Sequence, residues 1–163
     1  MQTRDSRQSG IGQQDLAMAL FGAAANIRIL VADDDPLTAQ LLRATGESLN
    51  YQVVSVDDGR KAYRILKSDA DFAAAIFNMS MPHLRGVDIV RYMKTEKRLM
   101  RIPVVIVAGD HSLGLVTESF AAGALALLPK PFTTEKLAMT LRLAIGSRAA
   151  REHSDERMRK LAA

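Results

Sequence analysis

From residue 27 onward the chain alternates short apolar runs, rich in β-branched residues, with longer stretches of helical periodicity, five times in succession. Parallel strands cannot be joined by a tight turn, so each crossover takes a helix, and each helix must cover one face of the sheet. The spacing predicts strands at 27–32, 51–56, 72–78, 103–108 and 124–128. It predicts helices at 36–48, 59–68, 87–96, 112–122 and 133–145. Pro36 suits a first helical turn, Gly123 a left-handed C-cap, and Thr133 or Thr134 an N-cap, with Gly146 marking the last helix end. The expected architecture is α/β, a doubly wound parallel sheet of five strands covered on both faces. In such sheets ligands bind outside the carboxyl ends of the strands, so the residues that end strands carry the functional information.

The first predicted strand runs into Asp33-Asp34-Asp35, the third ends in Asn78, the fourth in Ala108, and Lys130 follows the fifth. Adjacent carboxylates repel unless a cation offsets them. Lys130 is one such cation, and a hard divalent ion such as Mg²⁺ is another. The competing expectation is that the three aspartates only cap the next helix, where negative charge is stabilising.

Ile29-Leu30-Val31-Ala32-Asp33-Asp34-Asp35-Pro36, Met81-Pro82, Ile102-Pro103-Val104-Val105-Ile106-Val107, Ala122-Gly123-Ala124 and Lys130-Pro131-Phe132 resemble, in order and spacing, the motifs of response-regulator receiver domains of two-component phosphorelays. The resemblance spans about residues 27–146 and implies a flavodoxin-like (βα)5 fold. It implies that Asp33 and Asp34 form the acidic Mg²⁺ site and that Lys130 bridges to the phosphoryl group. It places the phosphoacceptor at Asn78, the switch hydroxyl at Ala108 and the switch aromatic at Leu127. These three residues depart from the family pattern.

A carboxamide has no anionic oxygen to accept a phosphoryl group, and its nitrogen lone pair is delocalised. Asn78 also removes one of the charges facing a metal, an interaction on the order of 4 kcal/mol before desolvation is subtracted. The expected Mg²⁺ site is therefore weak or absent, so no cofactor is expected. The combined pattern points to a degenerate pseudo-receiver, without enzymatic activity, that works through a protein partner: a histidine kinase, a response regulator, an effector or a second copy of itself. In the expected pocket Asp34 and Lys130 form a fixed ion pair, with Asn78 hydrogen-bonded to either. The binding face expected from the resemblance is helix 112–122 with the elements after it, and Leu113, Leu115, Val116 and Phe120 are too many apolar residues for one buried stripe. A phosphorylatable receiver that uses a substitute acceptor, with Ser80, Asp33 and Asp34 the nearest oxygen nucleophiles, is the alternative.

The rest of the chain narrows the classes. With no cysteine among 163 residues, disulfides and thiolate metal sites are excluded. The formal charge is +4, with basic and acidic residues interleaved, and no helix-turn-helix pattern follows the fifth helix, so nucleic-acid binding is not expected. No apolar run reaches the length of a membrane span, and a cytoplasmic location is expected. Residues 1–26 read as an N-terminal extension with a short amphipathic helix carrying Leu16, Ala17, Leu20 and Phe21; Asp5 and Asp15 argue against a secretory signal. Residues 147–163 read as a charged, solvated helical tail. His83, His111 and His153 are scattered and receive no role. There is no glycine-rich phosphate loop.

Overall fold

The computed structural model describes residues 26–163. Five strands and five helices alternate: β1 Arg28–Ala32, α1 Pro36–Ser48, β2 Gln52–Val56, α2 Gly59–Ser68, β3 Ala74–Asn78, α3 Gly86–Thr95, β4 Val104–Ala108, α4 Leu113–Ala122, β5 Ala126–Pro129 and α5 Thr134–Ala162. All strand pairings are parallel, in the order β2-β1-β3-β4-β5. The chain therefore reverses its direction of winding between β1 and β3, a topological switch point.

Side chains alternate across each strand and divide the core in two. Leu30, Ala32, Ala75, Phe77, Val104 and Ile106 pack under α2, α3 and α4. Ile29, Val31, Ile76, Val105 and Val107 pack under α1 and α5, where they meet Leu42, Leu137 and Leu141. Every residue of β3 and β4 is buried, as expected of central strands covered on both faces. β2 and β5 are the edges and are only partly buried along most of their length.

Three boundaries differ from the sequence expectation by more than one residue. The third strand starts at Ala74, because the Phe72 carbonyl is taken by the Arg148 side chain and its ring lies 4.5 Å beneath the Arg28 guanidinium. The fifth starts at Ala126, because after the left-handed Gly123 the Ala124 amide bonds back to the Ser119 carbonyl, and the ladder opens with Leu125 N–H to Val104 at 2.8 Å. The largest difference is α5, which does not stop at Gly146 but continues to Ala162. A helix-interior glycine costs only about 1 kcal/mol. The alanines that follow and the i, i+4 pairs Arg148–Glu152 and Glu156–Lys160 favour continuation. Arg148 on Phe72, and Arg101–Asp155 at 3.1 Å, fasten the extension to the body. The expected amphipathic helix at the N-terminus lies outside the described residues.

Candidate functional site

The switch point between β1 and β3 brings together Asp33, Asp34 and Asn78, and the loop after β5 adds Lys130. The three consecutive aspartates have divided roles. Asp35 is the N-cap of α1, its carboxylate accepting from the Leu37 and Thr38 amides, as the capping expectation has it. Asp33 points inward and is buried, whereas Asp34 is exposed. One Asp33 oxygen accepts from the Asp35 amide at 2.9 Å. The other has no hydrogen-bond partner within the described residues and faces the Lys130 ammonium at 3.5 Å.

The expected ion pair between Asp34 and Lys130 is thus corrected: Lys130 serves Asp33, the buried charge with the greater need of a counter-ion. Asn78 Nδ2 donates to Asp33 at 3.3 Å and to Asp34 at 3.0 Å. Between two carboxylates an amide can only turn its NH₂ toward them. Burial pushes the Asp33 carboxyl above its ordinary value, an effect opposed by the Asp35 amide and by Lys130.

Ala108 ends β4, 1 % exposed, with its carbonyl accepting from the Lys130 amide at 2.8 Å. Leu127 lies on β5, partly buried against the α2–α3–α4 side of the core. Ser80, His83 and His111 are exposed. A cleft of about 550 Å³ opens beside the two carboxylates, lined also by Gln40, Arg43, Ser55, Asp57 and Lys61. These cleft residues come from α1, β2, the turn after β2 and the start of α2, and sequence reasoning did not find them. The one legible signal was the i, i+4 pair Asp57–Lys61, which closes at 2.6 Å.

A receiver domain model matches residues 29–142, which is most of the chain and includes every residue of the pocket. The chain belongs to the response regulator receiver family. This receiver is 26 % identical over 122 residues to chemotaxis protein CheY1 of Helicobacter pylori, covering 74 % of this chain and 98 % of that protein. It is 31 % identical over 116 residues to response regulator MprA of Mycolicibacterium vanbaalenii, covering 71 % of this chain and 49 % of that protein. Among solved structures it is similar to the receiver domain of the sensor histidine kinase PA1611 of Pseudomonas aeruginosa, which carries a magnesium ion in its active-site cleft. That likeness has a TM-score of 0.69 at 27 % identity and covers 75 % of this chain and 99 % of that one. Chemotaxis response regulator CheY4 of Vibrio cholerae gives a TM-score of 0.68 at 26 % identity, covering 72 % and 98 %.

The two carboxylates of this receiver suit a hard divalent cation, but its third strand-end residue does not. The Asn78 amide directs hydrogens at both carboxylates, where a cation would compete with them, and it contributes no negative charge. Among the described residues no three acidic, histidine or cysteine side chains converge on one point. The set does not fit a tightly held ion.

Proposed function

We propose that this chain is a pseudo-receiver: a non-enzymatic, cytoplasmic member of its family that takes no phosphoryl group at residue 78 and acts by binding a protein partner whether or not a phosphodonor is present. The observation that carries the reading is the Asn78 amide, which bridges Asp33 and Asp34 and so satisfies with hydrogen bonds the pocket that a metal and an aspartate would otherwise complete. Ala108 supports it, since a methyl group at the end of β4 cannot bond a phosphoryl oxygen and draw the next loop inward. The partner is a histidine kinase, a response regulator or another effector of a two-component system, with α4 and β5 as the meeting face. Leu113, 82 % exposed, Phe120, 48 %, and Leu125, 37 %, present apolar area there, while Leu115 turns inward against the core.

The test is the intact mass after incubation with a small phosphodonor and Mg²⁺, beside an Asn78→Asp variant. The unmodified protein is expected to gain no phosphoryl group. If it does gain one, the reading is wrong, and peptide mapping decides between Asp33, Asp34 and Ser80, the exposed hydroxyl two residues past the acceptor position. Phosphorylation of Asn78→Asp alone would show that the pocket is otherwise competent; phosphorylation of neither would place the loss in Ala108 and Leu127 as well.

A further inference from the structure

Helix α2 carries Arg60, Lys61, Arg64 and Lys67 and no acidic residue. Lys61 pairs with Asp57 at 2.6 Å, but Arg60, Arg64 and Lys67 are exposed and form no ion pair among the described residues. At about 100° per residue these three fall within about 60° of the helix circumference and span about 10 Å of its axis. The acids that flank α2 are occupied elsewhere. Asp58 caps the helix through the Arg60 amide at 2.6 Å, and Asp69 and Asp71 hold Arg28 at 2.9 and 3.9 Å.

The isolated domain gains little from this ridge. Arg60, in the first turn, faces the positive end of the helix dipole, and like charges three and four residues apart repel. Only Lys67, in the last turn, is placed where the helix favours a cation. The surface also continues onto neighbouring elements. Tyr63 and Tyr92 of α3 pack with ring centroids 4.6 Å apart, and the Lys67 ammonium lies 5.7 Å from the Tyr63 ring centre. Arg98, from the loop after α3, donates to the Leu66 and Lys67 carbonyls at 3.4 and 3.1 Å, which adds a fourth cation at the end of α2. Arginine beside tyrosine is the composition of a protein contact.

We propose that this ridge docks an acidic α-helix of a partner protein. Carboxylates spaced four and three residues apart on such a helix match Arg60, Arg64 and Lys67 in length and in angle, so the two ridges pair charge for charge over about two turns. The three cations stand in a line and do not converge, which suits an extended acidic surface and not a small anion. A lipid surface fits less well, because α2 exposes no large apolar side chain to insert. Duplex DNA fits less well, because so short a row neutralises few phosphates. The proposal rests on the reading that the chain acts through protein contacts, and it adds a second contact, separated from the α4–β5 face by α3.

The probe is a synthetic peptide of about 20 residues, long enough to be helical alone, alanine-rich with glutamates at i, i+4 and i+7 along one face. Titrated into the full chain at low salt, it is expected to shift the amides of residues 60–68 and of Arg98, with a dissociation constant below about 1 mM. Raising the salt to about 0.5 M should abolish the shifts. Amides at 60–68 that do not move overturn the proposal, and so does equal binding of a peptide with the same glutamates spread around its helix. The combined variant Arg60→Gln, Arg64→Gln, Lys67→Gln should lose the shifts and melt no lower than the parent, since it relieves repulsion; a lower melting temperature would show that these cations hold the fold and overturns the proposal. Arg157→Gln with Arg159→Gln, on the exposed end of α5, should bind as the parent does, and a loss there equal to that of the triple variant overturns the assignment to α2. Duplex DNA or phosphatidylserine vesicles that bind at residues 60–68 more tightly than the peptide would replace the acidic helix as the occupant. A phosphoryl group gained by the parent protein would sink the pseudo-receiver reading and leave this binding in place, whereas a silent peptide titration leaves the phosphorylation result as it stands.

Discussion

Asp33 holds its carboxylate in a side chain with 0 % exposure, against a lysine that is 23 % exposed and 3.5 Å away. Removing one member of a buried pair costs about 3–5 kcal/mol, and partial exposure of Lys130 lowers the expectation to about 2 kcal/mol. Lys130→Ala should therefore lower the melting temperature at neutral pH by about 4–8 °C. The pH dependence has a definite sign. Because the folded-state carboxyl of Asp33 is raised, its contribution is complete below the ordinary carboxylate range and is lost as pH rises through the raised value. Without Lys130 that value rises further, so the difference between parent and variant should shrink on acidification. A gap that stays constant with pH would mean that Lys130 stabilises through packing and not through charge. Gly86 is a second residue with a local reason: a Cβ there would lie 2.3 Å from the Asn78 carbonyl oxygen. Only glycine lets the start of α3 pass this close to the end of β3, so Gly86→Ala should displace Asn78 and weaken its bonds to Asp33 and Asp34. Loss of stability beyond about 1 kcal/mol in urea unfolding is expected.

The element with the clearest independent anchor is α4. Glu118 accepts from Arg85 and Arg91 of the α3 region, both at 2.9 Å, and Asp88 binds the same two guanidiniums. Hydrogen bonds from Arg91 and then Arg85 hold the Glu118 carboxyl below its ordinary value, so this contact persists above the usual glutamate range and is released as pH falls through the lowered value. Glu118→Gln should speed amide exchange across residues 113–122 while leaving β3 unchanged, and moderate salt should do part of the same to the parent protein. Unaltered exchange in α4 would assign its position to Leu115, Ser119 and Ala122 instead. The part played by Glu118 was not legible beforehand. Asp88 and Arg91 have a visible i, i+3 spacing, but Glu118 is far along the chain and only the packing of α4 beside α3 brings it near. The exposed apolar residues of α4 were partly legible: their excess over one stripe was evident, yet which of Leu113 and Leu115 faces outward depends on the helix phase against α3 and β5.

Across the whole molecule, protection should follow burial by layer. β3 and β4, buried at every residue, are expected to exchange slowest, then β1, with the edge strands β2 and β5 fastest; an edge strand as protected as β3 would indicate a contact that covers it. The alternation of five apolar runs with five helical stretches determined by itself that the sheet is parallel and covered on both faces, because no other packing buries both periodicities at once. The strand-end residues Asp33, Asp34, Asn78, Ala108 and Lys130 were likewise readable, since a doubly wound sheet gathers its strand ends along one edge. Tertiary structure alone decided how they pair. Asp33 and Asp34 are neighbours in sequence, yet one is buried and the other exposed, so the ammonium of Lys130 goes to the carboxylate that water does not reach. It also decided the length of α5: Gly146 is a local stop signal, but Arg148 on Phe72 and Asp155 on Arg101 are contacts made across the molecule, and no window of local sequence contains them.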